Sequence, residues 1–194
     1  MGAVLPTAPV KGSRRRWAAL LVLVALGACA RPSAPSAMDT AVDGHGAIHV
    51  PADYRTTYAG LGTFAVAADH GPGAKQLHVV YTQPATIAAY RTTGHYPDGT
   101  VLVKEVYDTV TAPQTTGTVS HASALKGWFV MVRDSRDTHR SDPHWGDGWG
   151  WSWFDAKDPN HTTTTDYRSD CLGCHEPARA TELSYVQGYP VLRR

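Results

Sequence analysis

The stretch Val101-Leu102-Val103-Lys104-Glu105-Val106-Tyr107-Asp108-Thr109-Val110 predicts a β-strand, because β-branched and aromatic residues dominate it. On a period of two, Leu102, Lys104 and Val106 share one face of that strand. A lysine among apolar neighbours is most simply interpreted as lying at a sheet margin, with its stem packed and its ammonium group in water. The spacing by itself therefore favours no chemical role for Lys104.

The sequence on either side of this strand predicts an α+β domain with four or five strands and two or three short helices. Long alternating β-branched runs of this kind are not typical of an all-helical fold. Residues 111–122 are polar and rich in Thr and Gly, so we expect a loop there. Residues 185–192 should form a terminal extended segment. Further strands are predicted at 62–67, 76–82 and 128–132, and helices at 54–58, from Pro84 to Gly94, and around the cysteines described next.

A second motif, Cys171-Leu172-Gly173-Cys174-His175, has the spacing of a covalent attachment site for c-type haem. Two thiols three residues apart on a helix can reach the two porphyrin vinyl groups, and the adjacent imidazole can turn toward the iron. We therefore predict one covalent haem c, with Cys171 and Cys174 as thioethers and His175 as iron ligand. The alternatives are a zinc site, which lacks further thiolates, and a redox dithiol, which does not need the histidine.

The N-terminus resembles an export signal. Lys11 to Arg16 form a positive region, and the apolar run from Trp17 to Ala28 is too short for a membrane span. Leu26-Gly27-Ala28-Cys29 resembles a bacterial lipobox, which predicts lipidation at Cys29 and a lipid-anchored periplasmic protein. Ordinary cleavage after Ala30 is the alternative. We expect a signal peptide at 1–28, a flexible tether at 29–45 and one folded domain at 46–194.

Composition and charge exclude several other classes. The chain has 194 residues and three cysteines, and once the two haem cysteines and Cys29 are assigned, none remains for a disulfide. The predicted signal peptide holds four basic residues and no acid, so the remaining chain is mildly acidic. A basic face for nucleic acid is not expected.

The iron's sixth coordination position decides between function classes. An electron-transfer haem is usually closed by a second side chain, commonly Met or His. Beyond the signal peptide the methionines are Met38, in the tether, and Met131, in the apolar strand, and most of the other histidines lie in predicted loops. No second ligand stands out. The sequence thus favours an open site for a small nitrogenous ligand, with an electron-transfer cytochrome closed by Met131 or a loop histidine as the alternative.

Several motifs in order resemble the cytochrome P-460 and cytochrome c′-beta family. They span nearly all of 46–194, and the haem motif is only one of them. The others are Gly62-Thr63-Phe64, Tyr96-Pro97-Asp98-Gly99-Thr100-Val101, Lys104-Glu105, Val132-Arg133-Asp134, the Trp- and Gly-rich run from Trp145, and Tyr189-Pro190-Val191-Leu192.

This resemblance implies a mostly antiparallel β-sheet with few short helices, one of them carrying the haem motif, and often a homodimer. It implies a five-coordinate haem c that binds hydroxylamine or nitric oxide, with an electron-acceptor cytochrome as partner if the protein is an enzyme. Lys104 matches the lysine that one branch cross-links to haem, and Phe64 and Tyr96 match an aromatic cap over the bound gas. Arg168, which precedes the haem motif, could bind a haem propionate or an anion, or be a surface cation.

One position departs from the family pattern. Hydroxylamine oxidation in the family is associated with a carboxylate on the strand after the lysine strand, but Trp128-Phe129-Val130-Met131-Val132 holds no acid. An apolar side chain cannot act as a base. The resemblance therefore supports ligand binding or nitric-oxide chemistry more strongly than hydroxylamine oxidation, and leaves a non-catalytic nitric-oxide binder as a further alternative.

Overall fold

The computed structural model describes residues 1–2 and 40–193, and the chain divides into the units Met1–Ser33 and Ala34–Arg194. All elements below lie in the second unit. The segment that carries the export and lipidation predictions, including Cys29, lies outside the described residues. Among the described residues, no helix is long and apolar enough to cross a bilayer.

Seven antiparallel strands form one sheet, in the order β1-β2-β3-β4-β6-β5 with β7 paired to β6. The helices α1 and α2 precede β1 and β3, and a helical segment follows β7. The bounds are α1 Tyr54–Thr57, β1 Ala59–Ala67, β2 Ala74–Thr82, α2 Pro84–Thr93, β3 Val101–Gln114, β4 Gly117–Arg133, β5 Trp145–Gly146, β6 Trp149–Asp155 and β7 Asp158–Thr162. The predicted α+β class, mostly antiparallel with few short helices, is confirmed.

Turn residues fix the element boundaries near the centre of the chain. Pro84 begins α2, because its fixed backbone angle suits the first helical turn and its missing N–H costs no hydrogen bond there. Gly94 ends the helix in the left-handed conformation, with φ of 84°. Gly99, with φ of 80°, then turns the chain into β3.

Alternation along β3 divides the core between the two faces of the sheet. The front face carries Leu102 and Lys104, and its core cluster includes Met131 and Trp151 from β4 and β6. The back face carries Val103 and Glu105. Because neighbouring residues point to opposite faces of a strand, Lys104 and Glu105 lie on opposite sides of the same sheet.

Two predicted segments are corrected by the structure. Residues 111–122 are not a loop, because β3 and β4 continue as a two-stranded ribbon as far as the pair Gln114 and Gly117. The ribbon looks like a loop in sequence because neither face is buried in a core, although its threonines favour strands. Residues 185–192 are not extended but form two short turns, Val186–Gly188 and Pro190–Leu192, in which the segment hydrogen-bonds to itself.

The C-terminal helical segment closes the front face. It begins with a π-helical turn at Arg168–Leu172, continues through α3, Gly173–His175, and passes into a 3-10 helix at Glu176–Thr181. π-helical turns often occur at functional sites. The segment places Cys171 in the front core, with 7% of its surface exposed, and leaves Cys174 exposed.

Candidate functional site

A cavity of about 760 Å³ lies between the front face of the sheet and the C-terminal segment. Such a volume is within the range of cofactor and small-molecule sites, roughly 300–1,000 Å³. Most of its lining is apolar or aromatic. The lining comprises Phe64, Ala65, Val66, His78, Lys104, Phe129, Val130, Met131, Trp151, Ser152, Asp170, Cys171, Gly173, Cys174, His175, Pro177, Tyr185, Gln187 and Tyr189.

The cysteines and the histidine of the attachment motif all line this cavity. Both thiols are free, and burial raises the pKa of Cys171 to about 11. Tyr185 donates a 2.5 Å hydrogen bond from its hydroxyl to the Cys174 carbonyl oxygen, which ties the motif to the following turn. The helical spacing predicted from the sequence therefore brings both thiols to one cavity wall.

His175 is held in one orientation. Its Nδ1 lies 2.7 Å from the Leu183 carbonyl oxygen, so that nitrogen carries the proton and Nε2 keeps its lone pair. Burial lowers the pKa of His175, because the charged imidazolium is poorly solvated there. The ring also meets Trp151 edge-on, with centroids 4.9 Å apart. A neutral imidazole with a bonded Nδ1–H is the usual form of a metal-ligating histidine.

Lys104 faces the cavity rather than a sheet margin. Its Nζ lies 4.2 Å from the centroid of the Phe129 ring, on the strand next to it. Within residues 40–193, no carboxylate forms an ion pair with Lys104. Burial lowers its pKa, and the nearby cysteines oppose the shift only as thiolates. Thioether formation would remove that opposition, and the cavity therefore solvates the charged form of this amine poorly.

Phe64 lines the cavity from β1, at a position where Gly188 packs directly against its ring. Its ring meets Tyr189 edge-on at 5.8 Å between centroids. Together with Phe129 and Met131 it makes the wall across from the helical segment apolar. Such a wall excludes water and suits a small, weakly polar ligand.

His78 is a cavity residue that the sequence analysis did not single out. It lies on β2, opposite Phe64 on β1 and Val106 on β3. Burial lowers the pKa of His78 to about 4, with a smaller contribution from the charge of Lys104. It is therefore a neutral imidazole at physiological pH. In the sequence, His78 occupies an alternating position in a predicted strand. That position shows that His78 shares a face with Lys104 only when the pairing of the strands is known.

The acid in the cavity lining comes from the helical segment and not from β4. Asp170 accepts hydrogen bonds from the Thr165 and Asp166 backbone N–H groups and from the Ser169 hydroxyl. These bonds lower the pKa of Asp170 to about 2. A carboxylate so strongly stabilised in its charged form is a poor proton acceptor at neutral pH.

Tyr96 and Arg168 are not brought to this cavity. Tyr96 is 4% exposed and lies in the core, with its hydroxyl 3.1 Å from the Ser184 hydroxyl and its ring packed on Trp149. Arg168 lines a separate cavity of about 680 Å³ and stacks over the Tyr167 ring. The guanidinium groups of that second cavity are paired with acids, namely Arg133 with Glu182, Arg140 with Asp137, Arg168 with Asp166, and Arg179 with Asp147 and Glu176.

The residues of the first cavity fit a covalently held haem. Two free thiols, one oriented imidazole nitrogen and an apolar wall converge on a single space of suitable size. A zinc site does not fit equally well, since the described part of the chain contains no group of three His, Cys, Asp or Glu side chains that could hold a metal ion. The donor set instead matches a macrocycle that brings its own four nitrogen ligands.

Comparison with protein-family models gives a match over most of the domain. A family model described as Cytochrome P460 matches residues 51–186, which is more than half of the chain. The match includes the strands of the cavity wall and the complete attachment motif. The comparison with curated proteins gives no match.

Proposed function

Because this chain belongs to the cytochrome P460 family, which implies a haem cofactor, we propose that it is an exported protein with one covalent haem c that binds and oxidises small nitrogenous ligands. Hydroxylamine and nitric oxide are the ligands proposed. The observation that carries this proposal is the position of Lys104, an amine without a carboxylate partner in the described chain, in the same apolar cavity as Cys171, Cys174 and His175.

The haem would supply redox-active iron with one coordination position left for the ligand. Cys171 and Cys174 would hold it as thioethers, and His175 would bind through Nε2, because Nδ1 is engaged by Leu183. Phe64, Phe129 and Met131 carry no group that titrates and give the cavity an apolar wall, which disfavours water.

Oxidation of hydroxylamine to nitric oxide releases electrons and protons in equal number. The electrons would leave to an acceptor cytochrome. Among the cavity residues, Lys104 Nζ, whose pKa is lowered by burial, would exchange these protons, because His78, with a pKa of about 4, and Asp170, with a pKa of about 2, are weaker bases. Lys104 would take the role that a carboxylate on β4 cannot have in this chain.

Optical spectra and turnover test the proposal. The ferrous protein should bind nitric oxide with a clear spectral change, and the protein should oxidise hydroxylamine with an artificial electron acceptor. Lys104→Ala should lower turnover, whereas Lys126→Ala, which removes an exposed lysine paired with Asp108, should not. Nitric-oxide binding without hydroxylamine turnover would restrict the function to ligand binding. A low-spin spectrum indifferent to nitric oxide would contradict the proposal.

Lys104 also matches the cross-linking lysine of the family, and the spectrum of the unfolded protein tests that role. A haem cross-linked to the lysine keeps an absorption spectrum different from that of ordinary haem c after unfolding, because the cross-link is covalent and survives denaturation. The Lys104→Ala protein provides the unmodified reference. An ordinary haem c spectrum from the unmutated protein would rule the cross-link out.

The second candidate function is electron transfer with Met131 as the sixth ligand. It is favoured by one observation, that Met131 and His175 both line the cavity and a small adjoining space of about 30 Å³. Met131→Leu separates the two functions. If Met131 binds iron, this substitution should convert a low-spin spectrum to a high-spin one; if the site is open, it should leave the spin state unchanged.

Export and anchoring form a further part of the proposal. Cys29 would carry the lipid, with the protein on the periplasmic side of a bacterial membrane, and the domain would pair as a homodimer. Metabolic labelling with a radioactive fatty acid should label the unmutated protein and not Cys29→Ser. Equal labelling of both would contradict lipidation at Cys29.

A further inference from the structure

The Leu183 carbonyl group that orients His175 lies in an unusual backbone conformation. Glu182 and Leu183 are consecutive residues in the left-handed region, with φ of 55° and 60°. Side chains other than glycine adopt this region at a cost, and two in succession need support from the surrounding structure. The contacts around Glu182 provide that support.

Both carboxylate oxygens of the Glu182 side chain accept hydrogen bonds, one from the segment before β3 and one from the end of β4. Oε2 accepts a 2.9 Å hydrogen bond from the Tyr96 backbone N–H, just before β3. Oε1 accepts a 2.9 Å bond from Arg133 Nη2, at the end of β4. The Arg133 and Glu182 side chains are only 14% and 21% exposed, so water screens this ion pair weakly. Charge-assisted bonds of this kind are among the strongest available to a protein.

The backbone of the same turn is fixed separately. Trp149, on β6, donates a 2.9 Å bond from its indole N–H to the Glu182 carbonyl oxygen. The Leu183 backbone N–H bonds to the Ala178 carbonyl oxygen at 2.9 Å, and the Leu183 side chain is 2% exposed. Two strands of the sheet, the segment before β3 and the preceding helical turn therefore hold residues 182 and 183, which leaves the Leu183 carbonyl oxygen directed at His175 Nδ1.

We propose that Glu182 is a positioning residue for the axial histidine: its carboxylate holds the 182–183 turn so that Leu183 accepts the His175 Nδ1–H bond. This inference rests on the proposed function, in which His175 ligates the haem iron. A hydrogen bond from the distant ring nitrogen fixes the tautomer and makes the imidazole a stronger electron donor. Glu182 would thus set the strength of the iron–histidine bond without touching the haem or its ligand.

The test is resonance Raman spectroscopy of the ferrous protein, with the reduction potential as a second readout. Glu182→Gly is the most informative variant, because glycine adopts a φ of 55° without cost, so loss of the side chain removes the carboxylate without adding backbone strain. We expect the iron–histidine stretching frequency to fall and the potential to rise, since a weaker donor stabilises ferric iron less. Glu182→Gln keeps one acceptor oxygen but not the charge, and should give an intermediate frequency.

Glu176→Gln is the matched control. Glu176 belongs to the same helical segment and pairs with Arg179, but both side chains are about half exposed. The iron–histidine stretching frequency and the reduction potential of Glu176→Gln should equal those of the unmutated protein. Unshifted values in Glu182→Gly and Glu182→Gln would overturn the inference. An unmutated protein with no covalent haem, or with no iron–histidine band, would instead contradict the proposed function.

Discussion

Replacing Glu105 by alanine should destabilise the fold without removing any residue from the cavity. Glu105 is 1% exposed on the back face of the sheet, where its carboxylate accepts bonds from Tyr54, from Arg55 at 2.7 Å and from Tyr81 at 3.1 Å. Burial and the bond to Glu105 raise the pKa of Tyr54, so its hydroxyl remains a proton donor. The substitution would leave these three donors without their acceptor.

The size of the expected loss in stability depends on how exposed the partners of Glu105 are. Removing one member of a buried ion pair costs about 3–5 kcal/mol. Arg55 is 55% exposed and can be solvated again, so the lower half of that range applies to the pair, about 3–4 kcal/mol. For a chain of this size, each kcal/mol lowers the unfolding temperature by roughly 2–4 °C. A decrease of about 6–16 °C is expected.

Urea unfolding of the haem-loaded protein, followed by circular dichroism, measures the loss of unfolding free energy, and thermal unfolding measures the decrease in temperature. Asp108→Ala is the matched control, because Asp108 lies on the same strand but forms a half-exposed pair with Lys126 at 3.7 Å, which contributes about 1 kcal/mol or less. The double variant Arg55→Ala, Glu105→Ala should be no less stable than Glu105→Ala alone. A loss below about 1 kcal/mol in Glu105→Ala, with an unchanged urea dependence, would refute the reasoning.

Three further outcomes are expected. Burial lowers the pKa of His78 to about 4 from an ordinary 6.5, so the unfolded state binds the proton first and stability is lost as pH falls from about 6.5 to about 4. The unfolding temperature of His78→Gln should fall less over that interval, and an equal dependence on pH in both proteins would contradict this. The pKa of Asp170 is lowered to about 2, so the stability that its carboxylate adds to the fold is present above pH 3.8 and is lost as pH falls toward 2. Asp170→Asn should therefore unfold at a lower temperature than the unmutated protein at pH 7, and the two temperatures should converge near pH 2. A Cβ on Gly188 would lie 2.2 Å from the Phe64 ring, so Gly188→Ala should cost about 1–3 kcal/mol and weaken nitric-oxide binding, whereas Gly44→Ala, with open space around it, should do neither.

The sequence was informative where a short pattern determines the structure. Alternation in Val101–Val110, the proline and glycine bounds of α2 and the spacing of Cys171, Cys174 and His175 all depend on near neighbours in the chain. The ribbon at 111–122 was misjudged because an exposed strand lacks an apolar face, and the alternation of residues along a sequence reveals that face and not the backbone pairing. The turns at 186–192 were misjudged because aromatic and β-branched residues favour strands only where a partner strand exists.

The cavity itself depended on contacts between distant segments. His78 reaches Lys104 through the pairing of β2 with β3, and Glu182 reaches Arg133 from 49 positions along the chain. No local pattern marks either residue as part of the site. Tyr96 shows the converse, since a match to a motif placed it over the ligand while the Trp149 ring and the Ser184 hydroxyl hold it in the core.

The pairing register of β3 connects the stability of this fold with the chemistry of its cavity. Lys104 and Glu105 are adjacent in sequence, and a slip of one residue against β4 would exchange their faces. The exchanged register would place an unpaired carboxylate in the apolar cavity and an ammonium group among the Tyr54 and Tyr81 hydroxyls. Bonding of Glu105 on the back face therefore disfavours that register and holds Lys104 in the cavity. The residue that gives the cavity its amine is kept in place by the acid beside it.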